Sequence, residues 1–282
     1  MRRAGHEVRV MPVETGSWEE NPPTLMDFTK RDLRWCQGNM QYWKLLGMKG
    51  LRPVSRFQLV AAIMMYLAAP AWMAMTLAAM SKMVTGDTGV NVSFGIAMFF
   101  IMIAVSFVPK IAGLVDVMLT PGGVRRYGGG ARFGLGAVSE LVFSTLLAPV
   151  VALRVTIFLG GLVLGRSVIW GGQKRDAYRL ALADAVVGLW PQTLMGLAMT
   201  ASILWFVGPG LLPWAAPMLL GLGLAIPFAV LTAEPALGRL GARTGLCAVP
   251  EERVETETLA RVAAERAALP LAPAPTPLHD AA

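Results

Sequence analysis

LVFSTLLAPVVALRVTIFLGGLVLG, residues Leu141–Gly165, is apolar and long enough to cross a bilayer, yet it holds Arg154 near its centre and Pro149 just before. A helix needs about 20 residues to traverse the hydrocarbon core. Four other apolar runs qualify: Phe57–Met80, Phe94–Val108 if continued past Lys110, Ala185–Val207 and Leu211–Ala233. The chain therefore crosses either four times or five, and the cations discriminate. Residues 1–56 carry ten of the twenty-five Lys and Arg, 81–93 only Lys82, 110–138 four, 166–184 four and 234–282 five. A spanning Leu141–Gly165 would put two equally basic flanks on opposite sides, against the positive-inside rule. With Pro149 breaking it in the middle, the run reads as an interfacial or re-entrant helix on the cytoplasmic face, about residues 139–165. Spans at about 57–80, 94–114, 185–207 and 211–233 remain, within a membrane region of residues 57–233, and both termini are cytoplasmic. The alternative is a fifth span whose Arg154 snorkels through lipid at a cost of ~3 kcal/mol.

Composition agrees with a polytopic, mainly α membrane protein. Hydrophobic residues make up 55% of the chain and charged ones 15%, with a mean hydropathy of +0.56. A soluble domain of this length needs more polar surface. The net charge of +7 sits in short segments beside apolar runs, which points to cytoplasmic loops and anionic headgroups rather than nucleic acid. Cys36 and Cys247 are too few and too far apart for a disulfide framework or a metal site. With His6 and His279 the only histidines, a histidine-based triad or metal centre in the membrane region is excluded.

Ahead of the first span the pattern changes. HEVRVMPVE, His6–Glu14, alternates apolar and polar residues between Gly5 and Gly16, which predicts one strand. A lone strand has no partner for its backbone or its apolar face. Residues 1–23 are thus expected to be the last piece of an α/β domain lying before Met1. Thr24, with Asp27 three residues on, predicts a helix N-terminus. That helix runs to about Leu46, where Gly47 and Gly50 follow, and residues 24–56 form an amphipathic interface segment. Arg31, Arg34 and Trp35 fall at i, i+3 and i+4 on it and share a face. Guanidinium forks bind phosphate oxygens bidentately, and an indole stacks on the C–H side of a sugar ring, so the trio suits a sugar diphosphate. The same residues also fit a topogenic basic flank with an interfacial tryptophan.

WEENPP (Trp18–Pro23) followed by RDLRWCQGN (Arg31–Asn39) on a helix leading into a span resembles the processive family-2 glycosyltransferases related to cellulose synthase, which carry Q-x-x-R-W there. The R-x-x-R-W form, with FSTLLAP (Phe143–Pro149), WGGQKRD (Trp170–Asp176) and VPEE (Val249–Glu252), is similar to the glucosyltransferases that make osmoregulated periplasmic glucans. The resemblance implies a GT-A catalytic domain of which residues 1–23 are a remnant. It implies transfer of glucose from UDP-glucose to a β-glucan acceptor, with export across a bacterial inner membrane. By the same resemblance Arg34, helped by Arg31, holds the leaving diphosphate and Trp35 stacks under the acceptor glucose. Trp170, Gln173 and Arg175 become candidates for a loop closing over the donor.

The departures are equally informative. The resemblance implies Mg2+ or another divalent metal held by D-x-D, and a carboxylate base, and neither motif is in these 282 residues. They are expected upstream, so this chain alone is expected to be inactive. TPGGVRRYGGGARFG (Thr120–Gly134) lacks Walker spacing and reads as a connector. The tail, 234–282, predicts a short helix and then a Pro/Ala segment that is disordered. The competing class is a non-enzymatic anchor or transporter subunit, which needs polar groups at mid-membrane. The four spans supply Gln192 with scattered Ser and Thr, and the marginal Asp116.

Overall fold

A computed structural model describes residues 4–7, 9, 21–86, 92–168, 176–253 and 257–268. Among them the regular structure is helical, with no strand. The strand expected over His6–Glu14 falls mostly outside the described residues. His6, Glu7 and Arg9, which are described, lie in neither helix nor strand.

The first helix, α1 (Leu25–Met40), starts where Thr24 accepts the Asp27 N–H at 3.2 Å and gives its hydroxyl proton to Asp27 Oδ2 at 2.7 Å. This satisfies an orphan donor of the first turn. The helix does not run unbroken to Leu46. It stops at Gln41, and a turn leads into the short α2 (Trp43–Leu46). Gly38 and Asn39 are weak helix formers, and the Asn39 amide donates to the Ala62 carbonyl at 3.3 Å. Next come α3 (Pro53–Thr85), α4 (Val92–Leu119), α5 (Gly123–Arg126), α6 (Gly130–Val163) and α7 (Leu182–Phe206). The chain closes with α8 (Leu212–Gly223), α9 (Ala225–Thr232), α10 (Pro235–Thr244), α11 (Pro250–Arg253) and α12 (Glu257–Ala268).

By length and composition α3, α4, α6 and α7 could each cross a membrane, and the α8–α9 pair could make a fifth crossing bent by 62°. Two expectations need correction. The break at Pro149 does not occur, because α6 continues through it as one helix of 34 residues. The run Leu211–Ala233, expected as a single apolar span, is two helices that meet at a 62° bend between α8 and α9. Both have one cause, the approach of α8 to α6. A Cβ on Gly221 would strike the Leu146 carbonyl oxygen and the Pro149 ring. So a neighbouring backbone covers the turn that the proline loosens, which is how membrane helices tolerate proline. Gly196 of α7 is equally close to the Gly223 backbone. Helix α8 thus ends wedged between α6 and α7, and the chain turns into α9.

Arg154 does not face lipid. Its Nη1 donates to the Gly188 carbonyl of α7 at 2.8 Å, and Met26 of α1 packs on that same glycine.

The core shows how α6 lies. One cluster joins Leu25 and Met26 of α1 to Val150 of α6, Leu189 of α7 and Ala229 of α9. Another joins Cys36 of α1 and Tyr66 of α3 to Val155 and Leu159 of α6. As α1 advances, α6 advances beside it. Beyond α6, the Val168 N–H donates to Gln37 Oε1 of α1 at 2.7 Å. At the other end, Gly128 just before α6 packs on Arg253, and Gly136 in its second turn on Cys247. The tail leaves α9 at Glu234, paired with Arg179 at 2.8 Å, beside the Ala233 that clusters with Leu25. From Glu234 to Cys247 the main element is α10, with 10 residues. The start of α6 thus meets the tail, and the segment just beyond its end meets α1.

Candidate functional site

Helix α1 has two faces with different work. Asp32, Cys36 and Asn39 turn toward the bundle. The Tyr66 hydroxyl donates to Asp32 Oδ1 at 3.1 Å, Cys36 is wholly buried, and Asn39 reaches Ala62 as described. Burial pushes the Asp32 carboxyl up, with the Tyr66 hydrogen bond and the Arg31 charge pulling the other way. Burial, then the neighbouring Asp32, raises the Cys36 thiol to about 12. The docking face is therefore apolar enough to penalise charge, and it fixes the rotation of α1 about its axis.

That rotation aims the other face. Arg31 is buried, with its guanidinium carbon 4.9 Å from the Trp35 ring centroid and 5.5 Å from that of Phe28. Its Nη2 donates to Asn21 Oδ1 at 2.8 Å. Trp35 stays 50% exposed, so Arg31 backs one side of the indole and the rest of the ring is open. Arg34 is partly exposed on the neighbouring turn. The structure thus brings Arg31 and Trp35 into direct contact, and Arg31 is committed to supporting the indole as much as to any anion.

Trp170, Gln173 and Arg175 lie outside the described residues. The chain on either side of them is fastened to α1. Val168 binds Gln37, and the Tyr178 hydroxyl donates to Asp27 Oδ2 at 2.5 Å, with Thr24 Oγ1 at 3.4 Å. Burial and then the Asp27 bond push the Tyr178 phenol up. Sequence reasoning missed these anchors. Gln37 and Val168 are 131 residues apart and Asp27 and Tyr178 are 151 apart, and no local pattern marks either pairing.

A cavity of about 360 Å³ opens between α1, α3 and α6, lined by Phe28, Asp32, Met65, Tyr66, Ala148 and Val151 among others. Its walls are apolar except for the Asp32–Tyr66 pair and Ser144. Among the described residues no three His, Cys, Asp or Glu side chains come together as metal ligands would. The described part of this chain does not fit the divalent ion that the resemblance implies.

Residues 1–109 match the family model described as glycosyl transferase family group 2. Nearly the whole chain is homologous to proteins named Glucans biosynthesis glucosyltransferase H. The protein from Xanthomonas campestris pv. campestris (strain B100) is 31% identical over 290 residues, covering 97% of this chain and 45% of its own length. That from Xanthomonas euvesicatoria pv. vesicatoria (strain 85-10) is 33% identical over 292 residues, with the same two shares. The Pseudomonas putida KT2440 protein is 32% identical over 276 residues, covering 92% of this chain and 32% of its own length. The chain spans less than half the length of these relatives. No solved structure matches it.

Proposed function

We propose that this chain is the membrane half of a UDP-glucose-dependent glucosyltransferase that builds a β-glucan and passes it across a bacterial inner membrane. Homology over nearly the whole chain to glucans biosynthesis glucosyltransferases supports the reaction class. It does not favour a non-enzymatic anchor. The observation that carries the assignment to residues is the half-exposed Trp35, backed by the Arg31 guanidinium on a helix whose rotation is fixed by Asp32, Cys36 and Asn39. In this reading Trp35 is the stacking platform for the acceptor glucose. Arg34 meets the leaving diphosphate, where a fixed guanidinium stabilises developing charge without reorganising. Trp170, Gln173 and Arg175 belong to the donor side, on a segment whose flanks are tied to α1. The polymer leaves beside α1, along the cavity that Asp32 and Tyr66 border.

In the same reading α3, α4, α7 and the α8–α9 pair cross the membrane. Helix α6 lies along the cytoplasmic face with α1, and both termini are cytoplasmic. A donor pocket, a divalent metal held by D-x-D and a catalytic base belong to residues outside these 282. The chain by itself therefore binds glucan without turning over donor.

The test uses the purified chain in detergent with a soluble β-glucan oligosaccharide. Stacking of this kind is worth ~1 kcal/mol, so Trp35→Ala should weaken glucan binding about fivefold or more. Arg34→Ala should leave it unchanged. Equal affinity in Trp35→Ala would reduce the motif to a topogenic flank. Magnesium-dependent UDP release from UDP-glucose by residues 1–282 would refute the division of labour.

A further inference from the structure

Away from α1, three arginines from separate segments converge on a second cavity, of about 570 Å³. They are Arg132 near the start of α6, Arg243 at the end of α10 and Arg253 at the end of α11. Glu252 also lines it, and its carboxylate accepts the Val249 N–H at 3.0 Å. Among the described residues none of the three arginines is paired with an acid.

The site is built around Arg253. Its guanidinium lies between two glycine turns in the left-handed region, Gly128 (φ +86°) and Gly245 (φ +65°), and a Cβ on either would collide with it. Only glycine combines that backbone with that closeness. Nη2 donates to the Gly245 carbonyl at 2.8 Å, while Nε is buried with no acceptor among the described residues. An unmet buried donor is costly, and a chain that orders one beside two further cations is arranged for an anion. The glycine-rich segment Thr120–Gly134, expected to be a connector, thus also supplies one wall of this cradle.

The surroundings identify the anion's source. Helix α10 leaves Leu237 and Leu240 exposed, one turn apart, with Arg239 and Arg243 also one turn apart beside them. A helix of this kind lies in the headgroup layer, leucines down and arginines at phosphate depth. It follows α9 directly, at the end of the bundle that holds α1.

We propose that the cavity formed by Arg132, Arg243 and Arg253 binds the phosphate headgroup of an anionic phospholipid, fastening the segment after α9 to the start of α6. Guanidinium forks grip phosphate oxygens in bidentate pairs, and one turn away the leucines of α10 keep the acyl chains' company. The proposal is independent of the glucosyl-transfer reading, and its test needs no turnover.

Cys247 lines the cavity and is exposed, whereas Cys36 is buried with its thiol raised to about 12. A neutral maleimide therefore reads Cys247. The full chain is placed in nanodiscs of phosphatidylcholine with a rising fraction of phosphatidylglycerol, and the rate of Cys247 alkylation is followed. The rate should fall and level off as phosphatidylglycerol increases. Each of Arg132→Gln and Arg243→Gln, both at exposed positions, should raise the fraction required about fivefold. Slowing of equal size in the wild type and in the Arg132→Gln/Arg243→Gln pair would mean only a general surface-charge effect and would overturn the proposal. So would protection by inorganic phosphate in pure phosphatidylcholine discs, which would make the ligand a soluble phosphate.

Discussion

Helices α4 and α6 look alike on paper and behave differently in the fold. Each contains a window of mean hydropathy 2.2 and is long enough to cross a bilayer. None of that window is buried in α4. It meets the bundle through Phe99 and Phe100, edge-on to Trp214 at 5.9 and 6.2 Å, and through the Lys110–Glu140 ion pair at 2.5 Å. Helix α6 buries Pro149, Val150, Leu153, Val155 and Leu159 and runs beside α1. Hydropathy reports which solvent an element prefers, and partners report the direction in which it lies.

Cysteine labelling should separate the two helices most sharply, as an all-or-none result. In a Cys-free background, cysteines at Ala131 and Ser167, the two ends of α6, should both resist an impermeant reagent applied outside, while one at Thr85 reacts. Reaction at just one of the α6 ends would make that helix a span and remove the contrast with α4.

Glycines measure the same difference in energy. Gly221→Ala drives a methyl into Leu146 and Pro149 of α6 and should cost about 1–3 kcal/mol, read as earlier unfolding in detergent. Gly113→Ala on α4, with nothing within 4 Å of its Cβ, should instead be neutral or stabilising by roughly 0.5–1 kcal/mol. Equal effects would mean that α8 does not rest on α6.

The link between α4 and α6 is weaker still. Lys110→Ala removes an exposed ion pair and should change stability by about 0–1 kcal/mol, diminishing with salt. A larger loss would show that α4 is docked more firmly than its exposure suggests.

The smallest effect concerns the surface on which α1 meets α3 and α6. Burial raises the Asp32 carboxyl, so the folded state favours its protonated form. That contribution is full below the ordinary carboxylate value of about 4 and is lost as pH rises through the folded value. Asp32→Asn should match the wild type at low pH and become relatively more stable as pH increases. A wild type that gains on the variant with rising pH would place a stabilised carboxylate there.

What was legible in the sequence was local. Arg31 and Trp35 are one helical turn apart, so their contact follows from spacing, as does the Thr24 cap. The basic segments flanking Leu141–Gly165 predict a helix with both ends on one side, which is the topology proposed above; the contacts of Gln37, Cys247 and Arg253 near its ends are the ones no local pattern marks. Pro149 misled because a proline loosens an isolated helix, whereas here Gly221 brings a second backbone against that turn. The acceptor of Arg154, Gly188, lies on another helix, so no local pattern announces that pairing.

The sequence by itself determined the solvent, the apolar elements and the shared face of Arg31, Arg34 and Trp35, since hydropathy and the helical repeat are properties of neighbouring residues. The tertiary structure alone decided the bend after Gly223, the anchoring of α1 through Asp32–Tyr66 and Gln37–Val168, and the meeting of Arg132, Arg243 and Arg253. Each of these depends on which surfaces touch. In a chain whose helices are nearly all apolar, pattern distinguishes one such surface from another poorly; close packing at a few glycines and a few polar pairs makes the choice.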